Sequence, residues 1–325
     1  MAALHKIKTD ELSVIVQGPI WPDSTRQSLR SIRTHLPGAE IVLSTWEGEN
    51  VRELDYDVLV LSEDPGPIKT KASKASNLNR LLWSTKQGLK KATRPYGLKF
   101  RTDLKLHGSG ILSYFGLFPS YLEEYKIFHE RVVISSTLTW RTTRYPSGLY
   151  HPSDLFGLGR MEDLARWWSA PLFSFEDRAR FENEAVLISE YPDSVPLDET
   201  TSEQYIWLSA LQRTRNVSLS INPAPHDFRQ DLLLFLNNFI AVELRRVDIE
   251  WLKQPQIPFG YQAPFLGFSE YRHLYRKEIE KRQFQAPLFS VLWKLIQLKI
   301  VRYSPESFKD LWRILKRIRN SVRNG

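Results

Sequence analysis

The first hundred residues alternate short apolar runs with longer helical ones, and that alternation limits the fold more than any other feature. Leu12–Val16 is a β-branched run closed by Gly18-Pro19, a breaker pair. Ser24–Leu36 follows at helical period, with Leu29 and Ile32 on one face and Ser24 or Thr25 as the cap. Further strands are expected at Glu40–Ser44, Asp57–Leu61, Gly97–Phe100 and Arg131–Ser135. A helix is expected over Ser76–Ala92, where Leu78, Leu81, Leu82 and Leu89 share a face. Strands separated by helices of this length predict an α/β fold with a mostly parallel sheet and helices on both faces.

The second half reads differently. Tyr150–Gly159 looks like loop; Glu162–Trp168, Glu203–Gln212, Asp231–Glu243 and Glu270–Arg282 look helical, and Val217–Ile221 reads as a strand. A soft boundary near residue 230 divides a catalytic region, 1–230, from a helical C-terminal region, 231–325.

Bulk properties remove several classes. The chain has 325 residues, 42% hydrophobic and 25% charged, a globular composition. It holds no cysteine, which removes disulfides, thiolate metal sites and thiol nucleophiles and suits a reducing compartment. Neither a signal peptide nor a transmembrane helix is expected: Gln17 and Gly18 interrupt the early apolar run, and Lys294 and Lys299 break the late one. Of the net charge of +8, residues 294–325 carry +7. A charge confined to one end points to a local anionic partner and away from nucleic acid. Phe308, Leu311, Trp312, Leu315 and Ile318 recur near the helical period among those basic residues. A basic amphipathic helix of this kind suits an anionic bilayer interface, and packing on the protein with a solvated basic face is the alternative.

Ligands of open parallel sheets sit outside the carboxyl ends of the strands. The expected strand ends are Gln17-Gly18-Pro19, Thr45-Trp46-Glu47, Glu63-Asp64-Pro65 and Arg101-Thr102-Asp103, all carrying polar groups. No Gly-x-Gly-x-x-Gly or Gly-x-x-x-x-Gly-Lys-Ser/Thr loop is present, which argues against dinucleotide oxidoreductases and P-loop phosphotransferases. A diphosphate held without such a loop calls for arginines or a cation, here Arg80, Arg101 and a carboxylate, Asp103. Asn77, Asn79 and Arg80 open a helix whose amides suit an anion, or Asn77 simply caps it. Trp46 either stacks on a base or sugar or belongs to the core.

The segments SVIVQGPI, EIVLSTWEG, SEDPG, NLNRLLWSTKQGL and YGLKFRTDLKL, extended by YHPSDLFGLG and TSEQYIWL, together resemble the WavE family of lipopolysaccharide-synthesis proteins over residues 12–230. That resemblance implies a GT-A-like, Rossmann-type nucleotide-binding sheet. It also implies a glycosyltransferase that moves a sugar from a nucleotide-sugar donor to a lipid-linked or oligosaccharide acceptor in lipopolysaccharide or capsule synthesis. The implied place is peripheral, on the cytosolic face of the inner membrane. By the same resemblance Arg101-Thr102-Asp103 stands where the GT-A Asp-x-Asp motif holds Mn²⁺ or Mg²⁺. An arginine replaces the first acid, so Arg101 contacts the diphosphate itself or a metal binds Asp103 with help. His226, after a helix and a strand, is the second metal candidate, or else a loop histidine bonded to backbone. An inverting transfer needs a general base, and Asp154 and Glu203 are the two candidates; Asp154 also reads as a turn residue and Glu203 as a first-turn acid. A retaining transfer needs neither. The rival readings are a sugar nucleotidyltransferase and a non-catalytic, membrane-bound assembly factor.

Overall fold

A computed structural model of the chain describes residues 6–68, 76–140, 148–173, 200–217, 223–254 and 265–281. Nine strands are described: β1 (Leu12–Gln17), β2 (Glu40–Trp46), β3 (Val58–Ser62), β4 (Tyr96–Arg101), β5 (Leu104–Leu106), β6 (Val132–Ser135), β7 (Gly157–Arg160), β8 (Phe239–Val242) and β9 (Ile249–Trp251). The described α-helices are α1 (Pro22–His35), α2 (Leu78–Lys91), α3 (Met161–Trp167), α4 (Ser202–Gln212), α5 (Pro225–Asn238) and α6 (Phe268–Glu278).

Seven strands form one sheet in the order β3-β2-β1-β4-β7-β6-β8. The pairs β1–β2, β2–β3, β1–β4 and β6–β8 are parallel, and β7 runs antiparallel to both its neighbours. The mostly parallel α/β sheet expected from the alternation is therefore present. Its central strand β1 is buried at every position, as a strand covered on both faces must be.

Side-chain size sets how the helices approach. α2 lies on β1, β2 and β3. Gly88 permits this contact: a Cβ there would stand 2.5 Å from Ile15 Cγ2 and 3.1 Å from Ser44 Cβ. α3 lies on β4 and β7, with Leu164 over Gly97 and Trp167 over Gly157. α4 is buried almost all round, which explains its weakly amphipathic sequence. One apolar core runs from Ile7 to Ile279.

Two expectations change. The loop expected over 150–159 ends in β7, whose glycines hid its strand character while making room for Trp167 and Val132. The helix expected over Asp231–Glu243 stops at Asn238, where Phe239-Ile-Ala-Val turns into β8 beside β6. The boundary placed near residue 230 falls inside α5, and the sheet extends past it. A two-stranded ribbon, β5–β9, was not foreseen. Most of the strand expected over 217–221 and all of the basic tail, 294–325, lie outside the described residues. Among the described residues no helix is long and apolar enough to cross a membrane.

Candidate functional site

The sheet reverses direction of growth at β1. The chain proceeds outward through β2 and β3 on one side, then returns to place β4 on the other. A crevice forms outside the carboxyl ends at such a switch point. Here Gln17, the last residue of β1, lies in register between Ser44 and Arg101. Gly18 adopts φ of +125°, and a Cβ on it would stand 3.1 Å from Thr102 Oγ1. The Thr102 hydroxyl donates to the Pro19 carbonyl at 2.9 Å. The loops leaving β1 and β4 are thus tied together.

Several of the expected residues turn into the protein. Gln17 Oε1 accepts from the Ser84 hydroxyl at 2.8 Å, anchoring β1 to α2. Thr45 is buried, and its hydroxyl has no hydrogen-bond partner among the described residues. Trp46 is buried at the end of β2. Asn79 clamps Phe173 through both backbone groups, at 2.6 and 2.7 Å. Arg80 and Asp64 form a two-point ion pair at 2.7 and 2.5 Å, partly exposed; the hydrogen bond to Arg80 holds the Asp64 carboxyl below its usual range. Asn77 gives Arg80 a third contact at 3.1 Å in place of capping α2.

Arg101, Asp103, Asp154 and Glu203 come together, although they are separated by up to a hundred residues. β4 alternates, so Lys99 and Arg101 share the face over which α3 packs. Arg101 grips Asp103 with Nε and Nη2, both at 2.8 Å, and Trp251 Nε1 donates to the same carboxylate at 3.1 Å. Burial works against the Asp103 charge, but these donors outweigh it and its carboxyl titrates low. The Arg101 side chain stays 28% exposed, and Nη1 has no partner among the described residues. Asp154 and Glu203 both act electrostatically on Arg101.

Behind them sits Lys99, fully buried. Its ammonium donates to the Asp154 backbone carbonyl and lies 4.8 Å from the centre of the Trp168 ring. Burial pulls its pKa down to about 7, against the attraction of Asp154, Asp103 and Glu203. Asp154 is buried too, and no hydrogen bond reaches its carboxylate among the described residues. Glu203 stands in the first turn of α4, whose Thr201–Gln204 capping box fixes the helix start. Its side chain is 14% exposed. Burial, and then the Asp154 charge, raise the Glu203 carboxyl to about 8, outweighing its own backbone amide, the Thr201 hydroxyl and the Arg101 charge. His151 Nε2 lies 3.7 Å from Glu203 Oε2, while Nδ1 meets the Leu138 carbonyl at 2.9 Å, the geometry of an Nδ1–H donor. Burial lowers His151 to about 4, so the ring is neutral and turns a bare lone pair toward the Glu203 carboxyl, whose own pKa is pushed up.

His226 is elsewhere in character. It opens α5 with its side chain 78% exposed and 3.2 Å from Asp227. Among the described residues no group of three His, Asp or Glu side chains is arranged to hold a metal. A divalent cation at Asp103 would compete with Arg101 for both carboxylate oxygens, and Mg²⁺ and Mn²⁺ need several oxygen donors. The described side chains around Asp103 do not fit a metal.

A family model described as WavE lipopolysaccharide synthesis matches residues 12–305. The chain belongs to the WavE family. No curated protein sequence matches it. The matched span of this WavE protein begins at the first residue of β1 and takes in the whole seven-stranded sheet. It also takes in every member of the Arg101 cluster, so the cluster lies within the part of the chain that carries the link to lipopolysaccharide synthesis.

Sequence reasoning missed three members of the cluster. Lys99 was legible, since it stands two residues before Arg101 on the same strand face. His151 stands three residues before Asp154, with no local pattern to mark it. Trp251 arrives only through the pairing of β9 with β5, in which it sits opposite Leu104.

Proposed function

We propose that this WavE protein is a glycosyltransferase with a GT-A-like site, moving a sugar from a nucleotide-sugar donor to a saccharide acceptor of lipopolysaccharide or capsule. One observation carries the proposal. At the switch point of the sheet stand one edge of an arginine and a buried carboxylate, both without a hydrogen-bond partner there among the described residues, and a second carboxyl whose pKa burial pushes up. Two carboxyls in unlike surroundings can divide base and acid work.

In this reading Asp154 is the base. It takes the proton of the acceptor hydroxyl as that oxygen bonds to the anomeric carbon and the bond to the diphosphate breaks, with inversion. Arg101 Nη1 meets the departing diphosphate, supplying positive charge where negative charge develops. Asp103 and Trp251 hold the guanidinium in place. Glu203 bears its proton opposite His151 and keeps a second negative charge away from Asp154. In this reading the role expected of Mn²⁺ or Mg²⁺ falls to Arg101, since the described side chains around Asp103 do not fit a metal.

The basic tail is proposed to rest on the anionic inner-membrane surface, near a lipid-linked acceptor, at about 1 kcal/mol for each Lys or Arg near the surface. Sedimentation with anionic but not neutral vesicles, lost on deleting residues 294–325, supports that; equal sedimentation without them refutes it.

The transferase proposal is tested by incubating the purified chain with UDP-, GDP- and dTDP-sugars and a lipopolysaccharide extract, reading nucleotide release and thermal protection. One donor class is expected to give both, in the presence of EDTA. Neither turnover nor protection with any donor overturns it.

A further inference from the structure

Trp21 is 49% exposed, whereas the other tryptophans among the described residues are buried or half-buried. An indole left in water at the N-cap of α1 contributes little to the core, so its position matters. It follows directly on Gln17-Gly18-Pro19-Ile20, the loop that leaves β1 at the switch point. That loop is tied to the end of β4 through Thr102 and Pro19.

A cation stands over the ring: Lys253 Nζ lies 5.8 Å from its centre. Lys253 follows β9, two residues after Trp251, whose indole N–H binds Asp103 and whose ring lies 5.4 Å from the Arg101 guanidinium carbon. The Lys253 charge also reaches Asp103. The ammonium is exposed and has no carboxylate partner among the described residues. Through Lys253 and Asp103 the exposed indole is thus linked to the Arg101 guanidinium, whose Nη1 has no partner among the described residues. Trp46, the residue first expected to stack, is buried and offers no face.

We infer that Trp21 and Lys253 form the nucleoside-diphosphate end of the site, the indole stacking on the nucleobase and the ammonium meeting the diphosphate. The inference rests on the nucleotide-sugar reading of the Arg101 cluster and adds the residues that hold the donor's base. Stacking needs only a π-face, so Trp21 supplies affinity for a base of any identity. Lys253, a point charge on a flexible stem, recognises the diphosphate without distinguishing bases.

The test is calorimetric titration of the full chain and its variants with UDP, GDP, CDP and inorganic pyrophosphate. The unsubstituted chain should bind one or more of the nucleoside diphosphates more tightly than pyrophosphate. Trp21→Ala should weaken those nucleotides by about 5- to 100-fold, the range of a base stacked on an aromatic ring, and leave pyrophosphate unchanged. Trp21→Phe should recover most of the loss, which separates stacking from misfolding. Lys253→Gln should weaken nucleotides and pyrophosphate alike, by about 10-fold. Nucleotide affinity unaltered in Trp21→Ala overturns the inference and leaves the transferase reading standing. So does a Trp21→Ala variant that loses only vesicle binding, which would make the indole a membrane contact. No binding of any nucleoside diphosphate by the unsubstituted chain overturns both.

Discussion

Replacing Glu203 with Gln asks whether the folded protein holds a proton on this carboxyl at neutral pH. Burial and the neighbouring Asp154 raise it from 4.5 to about 8, although its own backbone amide, the Thr201 hydroxyl and the Arg101 charge favour the ionised form. Between those two values the folded chain keeps a proton that the unfolded chain has released. Unfolding free energy therefore falls as pH rises across this window and levels off above it. At about 1.4 kcal/mol per pKa unit the nominal cost is about 5 kcal/mol. Sharing of the proton with the neighbouring Asp154 makes that figure an upper bound, so the expected effect is of the order of a few kcal/mol. A glutamine matches the protonated acid in shape and never ionises. Glu203→Gln should melt within about 1 °C of the parent at pH 5 and several degrees above it at pH 8.5. Calorimetric melts at half-unit steps between these limits measure the difference. Parallel curves for the two proteins, or a variant that loses ground as pH rises, would refute the reasoning.

Asp231 offers an independent case of the same sign. It is fully buried in α5, accepts only Tyr150 N, at 3.0 Å, among the described residues, and burial raises it to about 8. Asp231→Asn should likewise remove part of the fall in melting temperature between pH 4 and 8, and its effect should add to that of Glu203→Gln within about 0.5 kcal/mol, since neither charge acts on the other. Gly88→Ala places a Cβ 2.5 Å from Ile15 Cγ2. It should destabilise the fold by about 1–3 kcal/mol despite the better helix former, read as a lower urea midpoint at unchanged slope. Arg101→Lys keeps the charge but loses the two-point grip on Asp103, and should weaken donor-nucleotide binding by about 10-fold or more in calorimetry.

Local pattern revealed most of the sheet, because β1 and β2 are buried β-branched runs, β4 is a buried run of aromatic and aliphatic residues after Pro95, and amphipathic helices separate them. It failed where glycine or long-range pairing decided the outcome. β7 reads as loop because its glycines yield space to Trp167 and Val132. Phe239–Val242 continues the apolar run of α5, and only the open edge of β6 makes it a strand. The site divides in the same way. Strand alternation places Arg101, and chain order suggested Asp154 and Glu203, but nothing local says that α4 brings Glu203 to Asp154. Burial was the missing quantity for Trp46, Asn79 and His226. Each has the right chemistry for a ligand; two face inward, and the third stands in solvent.

In the proposed reaction Asp154 is the base beside Arg101. The most direct test is the turnover number of Asp154→Asn with the donor that the parent protein uses. A positioned base contributes about 10²- to 10⁴-fold. The account predicts a loss of at least about 100-fold with an unchanged circular dichroism spectrum and nucleotide affinity. A folded Asp154→Asn protein that turns over at the parent rate would contradict it.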